Sequence, residues 1–155
     1  IYTTGLLNSI QMGGIGATLG LGILLFFLAK SKRYKQLSRV AIVPQIFNIG
    51  EPLLFGIPIM LNPLLFIPYM LGVIANTCIA YGSVAIGLCA RFTGVNPSWT
   101  MPGILQGILT CSVPWQGAVL QIVILAVDML IWYPFVKMID KQAVEEENSA
   151  VSEAA

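Results

Sequence analysis

The stretch AIVPQIFNIGEPLLFGIPIM, residues 41–60, decides how this chain folds, because it places one charge inside a long apolar run. Within residues 40–136 the charged side chains are those of Glu51, Arg91 and Asp128. An isolated charge in hydrocarbon is costly, so each must be solvated, neutralised or paired with a polar group. Glu51 also lies between Gly50 and Pro52, which favour a break in a helix. The residues around Glu51 are therefore the first candidate for a binding site.

The composition excludes an ordinary soluble domain and predicts an all-α membrane protein. Hydrophobic residues make up 57% of the 155 residues and charged residues 10%, against roughly 25% charged residues in a typical soluble domain. The net charge is only +1, but its distribution is uneven. One segment, residues 30–39 (the basic segment), holds Lys30, Lys32, Arg33, Lys35 and Arg39, whereas acids cluster at Glu145, Glu146, Glu147 and Glu153. Clustered cations beside a membrane helix mark the cytoplasmic side, so this pattern predicts topology and not a nucleic-acid partner.

Apolar runs and their interruptions predict three full spans and two broken segments. The full spans are expected at about 10–29, 64–90 and 117–136, each long enough for one helical crossing. The broken segments are expected at about 40–62 and 97–115, where prolines and glycines interrupt the apolar run.

Two further features bear on the ends of the chain. The first span has a small-residue face that another helix can approach closely, formed by Gly13, Gly14, Gly16, Gly20 and Gly22. Residues 142–155, rich in Glu, Ser and Ala, are expected to form a flexible cytoplasmic tail. Because the chain starts at Ile1 without an initiator Met, we expect it to be part of a longer protein.

The parity of the crossings predicts how the broken segments lie. If the basic segment and the residues after position 136 are both cytoplasmic, an even number of crossings separates them, and the two later full spans supply two. Each broken segment then returns to its own side, which gives two opposed re-entrant helical hairpins meeting near the midplane, a transporter architecture. The alternative, two full crossings, satisfies the same parity, but residues 102–113 are too few for a helical crossing.

Each of the remaining candidate residues could have a structural role instead of a functional one. Trp99 and Trp115 flank the second broken segment and either stack on a bound substrate or anchor the interface, and anchoring is favoured. Asp128 is expected to pair with a polar group of another helix, with a proton path as the alternative. Cys78, Cys89 and Cys111 are interpreted as small apolar packing residues, because their spacing fits neither a metal site nor a disulfide framework. We expect no metal and no cofactor.

The run PQIFNIGEPLLFGIPIMLNPLLFIP, residues 44–68, resembles the signature of enzyme IIC, the membrane component of the bacterial sugar phosphotransferase system, of the lactose/cellobiose (diacetylchitobiose) type. The resemblance extends to GGIGATLGL at residues 13–21, PSWTMP at 97–102, GAVLQ at 117–121 and WYPF at 132–135. It covers nearly the whole chain except the tail. Residues 1–141 are thus identified as resembling the C-terminal, sugar-binding half of such a protein.

This resemblance implies a function and a set of partners. A IIC component moves a disaccharide inward across the bacterial cytoplasmic membrane, in which it is a multi-pass protein, and a partner IIB protein or domain phosphorylates the sugar through a phosphocysteine. The chain itself then carries no phosphorylated residue. The further partners implied are the lipid bilayer, the N-terminal half of IIC and, for the full-length protein, a second copy in a homodimer.

The resemblance also assigns residues to the sugar site. The family's glutamate, here Glu51, binds sugar hydroxyls, and Asn48, Gly50 and Pro52 lie beside it in the same motif. An ionised carboxylate suits this role, because its hydrogen bonds to hydroxyls are charge-assisted. The structural alternative is that Glu51 only caps or fixes the backbone where the helix is interrupted. For Asn48, direct sugar contact and hydrogen bonding to the broken helix remain equally open.

Two other functions stay open at this point. The chain could belong to an ion- or proton-coupled secondary sugar transporter that uses Glu51 and Asp128 as relay carboxylates. It could also be a folding or interaction module without activity of its own. A secondary transporter delivers unmodified sugar driven by an ion gradient, whereas a phosphotransferase delivers phosphorylated sugar and requires IIB.

Overall fold

The computed structural model describes residues 12–14, 16–93 and 95–153, and these residues are mostly helical. The helices are α1 (Leu19–Leu28), α2 (Lys32–Ile46), α3 (Glu51–Gly56), α4 (Pro63–Ala85), α5 (Gly103–Thr110) and α6 (Pro114–Glu153), with a 3-10 turn at Ile59–Leu61. Within the described ranges no strand forms, and one isolated antiparallel bridge joins Phe92 to Cys111. The predicted all-α class is therefore confirmed.

Among the residues that the structure describes, two helices are long and apolar enough to cross a membrane, α4 and α6. α4 has 23 residues, or about 35 Å at 1.5 Å per residue, which exceeds the hydrocarbon thickness of roughly 30 Å. In an 18-residue apolar stretch of each of these helices, only 33% of the residues are buried within the chain. Large apolar side chains such as Leu61, Ile74 and Leu130 are instead exposed. An apolar outer surface of this kind suits a lipid or protein environment, not water.

The first predicted span differs from the expectation. Of its described part, only Leu19–Leu28 is helical, and residues 10, 11 and 15 lie outside the described residues. Gly13, Gly14 and Gly16 have φ angles of 85°, 94° and 83°, a left-handed conformation that glycine adopts without steric cost. These glycines therefore form a turn and not a helix face. Gly20 does allow close packing, since a Cβ there would lie 3.1 Å from the Cβ of Asp128 on α6.

The two broken segments contain short helices. In the first, α2 ends at Ile46, a turn covers residues 47–50, and α3 starts at Glu51 with Pro52 in its first turn. Proline is tolerated there because the first N–H groups of a helix have no intrahelical partner. In the second segment a single short helix, α5, follows Pro102 and ends before Pro114.

The C-terminal residues 142–153, expected to be flexible, continue α6 as a helix. Two carboxylates of this helix bind the backbone that leads into α2. Asp140 accepts hydrogen bonds of 3.0 Å from the N–H groups of Lys30 and Ser31, and Glu147 accepts from the Ser31 hydroxyl at 2.6 Å. Composition alone could not reveal these contacts, because the partners lie 109 to 116 residues apart in sequence.

Contacts along α6 show how far apart other segments lie in the molecule. The loop after α4 is bonded near the start of α6, where Ala90 N–H donates to Gln116 Oε1 at 2.8 Å. The loop before α2 is bonded further along α6, at Asp140. These two positions are separated by about 36 Å of helix. Asp128, which faces Gly20 of α1, lies midway between them.

Candidate sugar-binding site

Three chain segments meet at the side chain of Asn48. Its Oδ1 accepts a hydrogen bond of 2.9 Å from the N–H of Gly13, and its Nδ2 donates one of 3.0 Å to the carbonyl of Met101. Asn48 is 7% exposed and has a positive φ of 59°, which asparagine tolerates better than most residues. The structure thus gives Asn48 the backbone-binding role, and a direct contact with sugar stays a prediction.

Two polar side chains from neighbouring helices support this junction. Gln45 Nε2 donates to the carbonyl of Thr18 at 3.0 Å and to its hydroxyl at 3.3 Å. The Thr18 hydroxyl donates to the carbonyl of Gly13 at 3.0 Å. Both side chains are fully buried, and buried polar groups need such partners. Sequence reasoning passed over them, although a glutamine inside an apolar helix is itself a signal of a polar junction.

Gly50 lies where two backbones approach each other closely. A Cβ at Gly50 would lie 2.7 Å from both the carbonyl oxygen of Gly13 and the hydroxyl of Thr18. The backbone φ of Gly50 is −90°, an ordinary value, so the requirement for glycine comes from space and not from conformation. The predicted motif residue Gly50 therefore lets the turn at residues 47–50 pack closely against Gly13 and Thr18.

Glu51 stands at the edge of this packed junction. It is the first residue of α3, and its side chain is exposed. Among the residues that the structure describes, no hydrogen bond or ion pair engages its carboxylate. The neighbouring Pro52 is half-buried. A carboxylate on a fixed backbone and without a protein partner is available to accept hydrogen bonds from a hydroxyl-bearing ligand.

The second broken segment is fixed by an amide in the same way as the first. Gln106 of α5 is fully buried, and its Nε2 donates to the carbonyls of Ser98 and Trp99 at 2.9 and 3.2 Å. These bonds hold the loop at residues 98–102 (the Trp99 loop), which includes Met101, to the start of α5. The Trp99 ring is 62% exposed, close in sequence to the Asn48 contact.

Trp115 is placed away from the Asn48 junction. It lines a cavity of about 510 Å³ between α4 and α6, together with Ser83, Cys89 and Gln116. Because Gln116 lies about 18 Å along α6 from Asp128, Trp115 belongs to the end of the molecule and not to its middle. The structure thus brings Asn48, Gly50, Glu51 and the Trp99 loop together and leaves Trp115 apart.

Asp128 of α6 has the polar partner that the sequence predicts. Asn76 of α4 donates through Nδ2 to both carboxylate oxygens of Asp128 at 3.0 Å, and both residues are fully buried. A cluster of three or more His, Cys, Asp or Glu side chains that could bind a metal does not occur in the described part of the chain.

Comparison with known proteins agrees with this geometry. Residues 1–72 match the family described as Phosphotransferase system, EIIC. The chain is 43% identical over 140 residues to the PTS system cellobiose-specific EIIC component of Geobacillus stearothermophilus, covering 90% of this chain and 31% of that protein. It is 41% identical over 136 residues to the PTS system lactose-specific EIICB component of Staphylococcus haemolyticus (strain JCSC1435), covering 88% and 23%.

A solved structure has the same fold. The crystal structure of the transporter ChbC, the IIC component from the N,N'-diacetylchitobiose-specific phosphotransferase system, superimposes with a TM-score of 0.86 at 40% identity, over 89% of this chain and 32% of that one. The chain spans about a third or less of the length of these relatives. With this identity and fold, and as its sequence motifs predict, the chain belongs to the EIIC family of the phosphotransferase system.

Proposed function

We propose that the full protein containing this chain is the sugar-translocating membrane component of a bacterial phosphotransferase system. It binds a disaccharide of the cellobiose/lactose class and presents it to IIB for phosphorylation. The proposal depends mainly on Glu51. Its carboxylate is exposed and has no hydrogen-bond partner among the described residues, and the backbone that carries it is fixed by Asn48 and Gly50. The relatives named for cellobiose, lactose and diacetylchitobiose support the substrate class.

We infer that the first broken segment is a re-entrant hairpin open to the side of the basic segment. α2 starts beside Asp140 at that end, and Gln45 near its last turn contacts Thr18, two residues before Gly20. Since Gly20 faces Asp128, the turn at residues 47–50 lies near half depth. α3 then packs back on α2, with Gly56 against the side chain of Leu37. The chain thus returns toward the end from which it came.

The second broken segment has the opposite direction in this proposal. Thr93 N–H donates to the carbonyl of Thr110 at 2.7 Å, so the segment leaves and returns at the end of the molecule where α6 starts. Its tip reaches Asn48 through Met101. Two short segments that enter from opposite ends and meet at half depth support the re-entrant architecture typical of transporters.

The C-terminal part of α6 supports the proposed topology. The basic segment and the last turns of α6 are bonded to each other, so both lie on one side, which we assign to the cytoplasm because of the clustered cations. Residues 1–141 would then form the transport part, and residues 142–155 a cytoplasmic extension. The site at Glu51 opens to the side where IIB acts, and one relative combines IIC and IIB in one EIICB chain. The remaining IIC sequence, the bilayer and a second copy in a homodimer complete the proposed set of partners.

Uptake by membrane vesicles tests this function. Vesicles that contain the full-length protein should accumulate phosphorylated disaccharide when IIB and its phosphate-donor proteins are enclosed, and little sugar when only an ion gradient is imposed. The matched control is the same vesicle preparation without IIB. Uptake of unmodified sugar that depends on a gradient and not on IIB would contradict the proposal.

An ion-coupled sugar transporter is the second candidate, favoured by one observation. Asp128 is a fully buried carboxylate in α6 that accepts hydrogen bonds from the uncharged Asn76, and such residues serve as proton relays in other transporters. In this case Asp128→Asn would abolish gradient-driven uptake. Under the phosphotransferase proposal, the variant leaves IIB-dependent phosphorylation of sugar in place.

A further inference from the structure

Two cysteines far apart in sequence meet in the structure. Cys89 and Cys111 are separated by 22 positions, yet their Sγ atoms lie 3.3 Å apart. Both side chains are buried, at 5% and 4% exposure, and neither is in a disulfide. The sequence-based interpretation of separate packing residues therefore misses their relationship, because the loop after α4 folds back onto the end of α5.

The backbone around both thiols is held by hydrogen bonds. Cys111 follows α5 directly and forms the isolated bridge with Phe92. Ser112 N–H donates to the carbonyl of Arg91 at 3.3 Å, and Cys111 Sγ donates to the carbonyl of Ala90 at 3.3 Å. The two sulfurs are thus presented to each other by fixed main chain and not by a chance orientation of side chains.

We propose that Cys89 and Cys111 form a redox-active dithiol that closes reversibly to an intramolecular disulfide. The S–S bond of a disulfide is about 2.05 Å long, so closure needs a relative movement of little more than 1 Å. The oxidant is a small-molecule disulfide. One cysteine thiolate attacks it and releases one thiol, and the second cysteine then attacks the mixed disulfide and releases the other. In sum, two cysteine thiols and one disulfide yield one protein disulfide and two small thiols.

The cavity beside Cys89 gives such a reagent access to the thiol, and Cys78 in the same cavity serves as an internal control. Cys89 lines the cavity of about 510 Å³, which also contains Cys78. The walls of this cavity are mainly apolar side chains of α4 and α6, so a small apolar disulfide suits it better than a charged one. Cys78 is exposed and, among the described residues, makes no sulfur–sulfur contact like that of Cys89 and Cys111, so it should stop at the mixed disulfide.

The bond would link the loop after α4 to the residue that follows α5. The loop that carries Trp99 and α5 itself lie between these two cysteines in the chain. A covalent link would hold these two positions together irrespective of what the tip binds. If the topology proposed above holds, this link lies on the outer face of the membrane, where disulfides persist. Its formation does not depend on sugar binding or on IIB.

Peptide mapping of the full-length protein tests the proposal. The protein in detergent is treated with 4,4'-dithiodipyridine, quenched with acid, alkylated under denaturing conditions with N-ethylmaleimide and digested. We expect a cross-linked peptide that joins Cys89 to Cys111 and disappears after dithiothreitol, with Cys78 recovered as a pyridyl adduct. Cys78→Ser should retain the cross-link, and in Cys111→Ser the Cys89 thiol should end as a pyridyl adduct. Recovery of Cys89 and Cys111 as alkylated thiols, or as two separate adducts, in the wild-type protein would overturn the proposal.

Discussion

The side-chain amide of Asn48 donates a hydrogen bond of 3.0 Å to the backbone carbonyl of Met101, which lies 53 residues further along the chain. This bond joins the turn of the first broken segment to the loop of the second. The amide oxygen of the same side chain accepts from Gly13, so one residue connects three segments. The position of Glu51, three residues later, therefore depends on contacts that Glu51 does not make itself.

Replacement of Asn48 should lower stability through these two bonds. We expect Asn48→Gly to cost about 1–3 kcal/mol, because buried backbone groups of Gly13 and Met101 lose their partner. Asn48→Ala should cost more, since alanine is also strained at a positive φ. Asn96→Ala, at an exposed position, is the control. Thermal unfolding of the detergent-solubilised full-length protein measures the order of stability, and a Gly variant as stable as the wild type would show that the bonds contribute nothing.

Glu51→Gln should weaken sugar binding while the protein still folds. The substitution keeps the shape of the side chain and removes its charge, and loss of a charge-assisted hydrogen bond typically costs about 1.5–3 kcal/mol. This corresponds to roughly 10- to 150-fold weaker affinity. Titration calorimetry with cellobiose, lactose and diacetylchitobiose measures the change in the full-length protein. Glu146→Gln removes an exposed carboxylate elsewhere and should leave the affinity unchanged; equal affinities for all three proteins would remove Glu51 from the site.

Two glycine substitutions should have opposite effects on stability. In Gly50→Ala the new Cβ would lie 2.7 Å from the Gly13 carbonyl oxygen, so the packed turns must separate, and we expect a loss of about 1–3 kcal/mol as for other overpacked sites. In Gly82→Ala the Cβ meets no atom within 4 Å. Because Gly82 lies inside α4, alanine should stabilise the helix by roughly 0.5–1 kcal/mol. The midpoints of thermal unfolding provide the test, and similar shifts for both variants would contradict the close approach of the turns.

The contact between Glu147 and the start of α2 should depend on pH. Hydrogen bonds from the Ser31 hydroxyl and from the backbone N–H groups of Arg33 and Lys32 hold the pKa of Glu147 below its usual range. Their contribution is therefore fully present above the usual glutamate pKa of about 4.3 and is lost as the pH falls through the lowered value.

Spin labels can follow this contact directly. With nitroxides at Lys35→Cys and Gln142→Cys in a background without the native cysteines, the distance distribution should be narrow at pH 7 and broaden as the medium is acidified below pH 4. Glu147→Gln should broaden it already at pH 7, and Glu146→Gln should behave as the parent. A distribution in the parent that does not respond to acid would argue against the Glu147 contact.

Labelling from outside the cell should distinguish the two topologies. On a cysteine-free background, Lys35→Cys and Gln142→Cys should both be protected from an impermeant maleimide in intact cells, and Asn96→Cys should react. All three side chains are exposed in the structure, so protection reports the side of the membrane and not burial. Protection of Asn96→Cys as well would contradict the two-hairpin arrangement and favour two full crossings, whereas reaction at Gln142→Cys without reaction at Lys35→Cys would contradict both topologies.

The sequence predicted local breaks well, because their causes are local. Pro52 and Gly50 mark the place where α2 and α3 are separated, and the isolated charge draws attention to Glu51. By contrast, Gly13, Gly14 and Gly16 could equally form a helix face or a left-handed turn, and the choice depends on tertiary packing, such as that of Gly14 against Gly50 and of Gly16 against Tyr69.

Other features depend on contacts between distant residues and were not predictable from pattern. The backbone-binding role of Asn48 depends on Met101, and the order of the last turns of α6 depends on Ser31. The proximity of Cys89 to Cys111 depends on the path of a loop. Spacing along the chain contains no information about any of these pairs.

The carboxylates of Asp140 and Glu147 bind backbone N–H groups of the basic segment, and these two negative charges offset only part of the charge of its five cations. The cations at positions 30, 32, 33, 35 and 39 are all exposed. Beside an anionic leaflet each such cation contributes about 1 kcal/mol of attraction. This attraction acts over a Debye length of about 8 Å at physiological ionic strength. The acids of α6 thus order the segment while its positive charge remains available to lipid headgroups, and the adhesion of this surface to the membrane should decrease as salt is added.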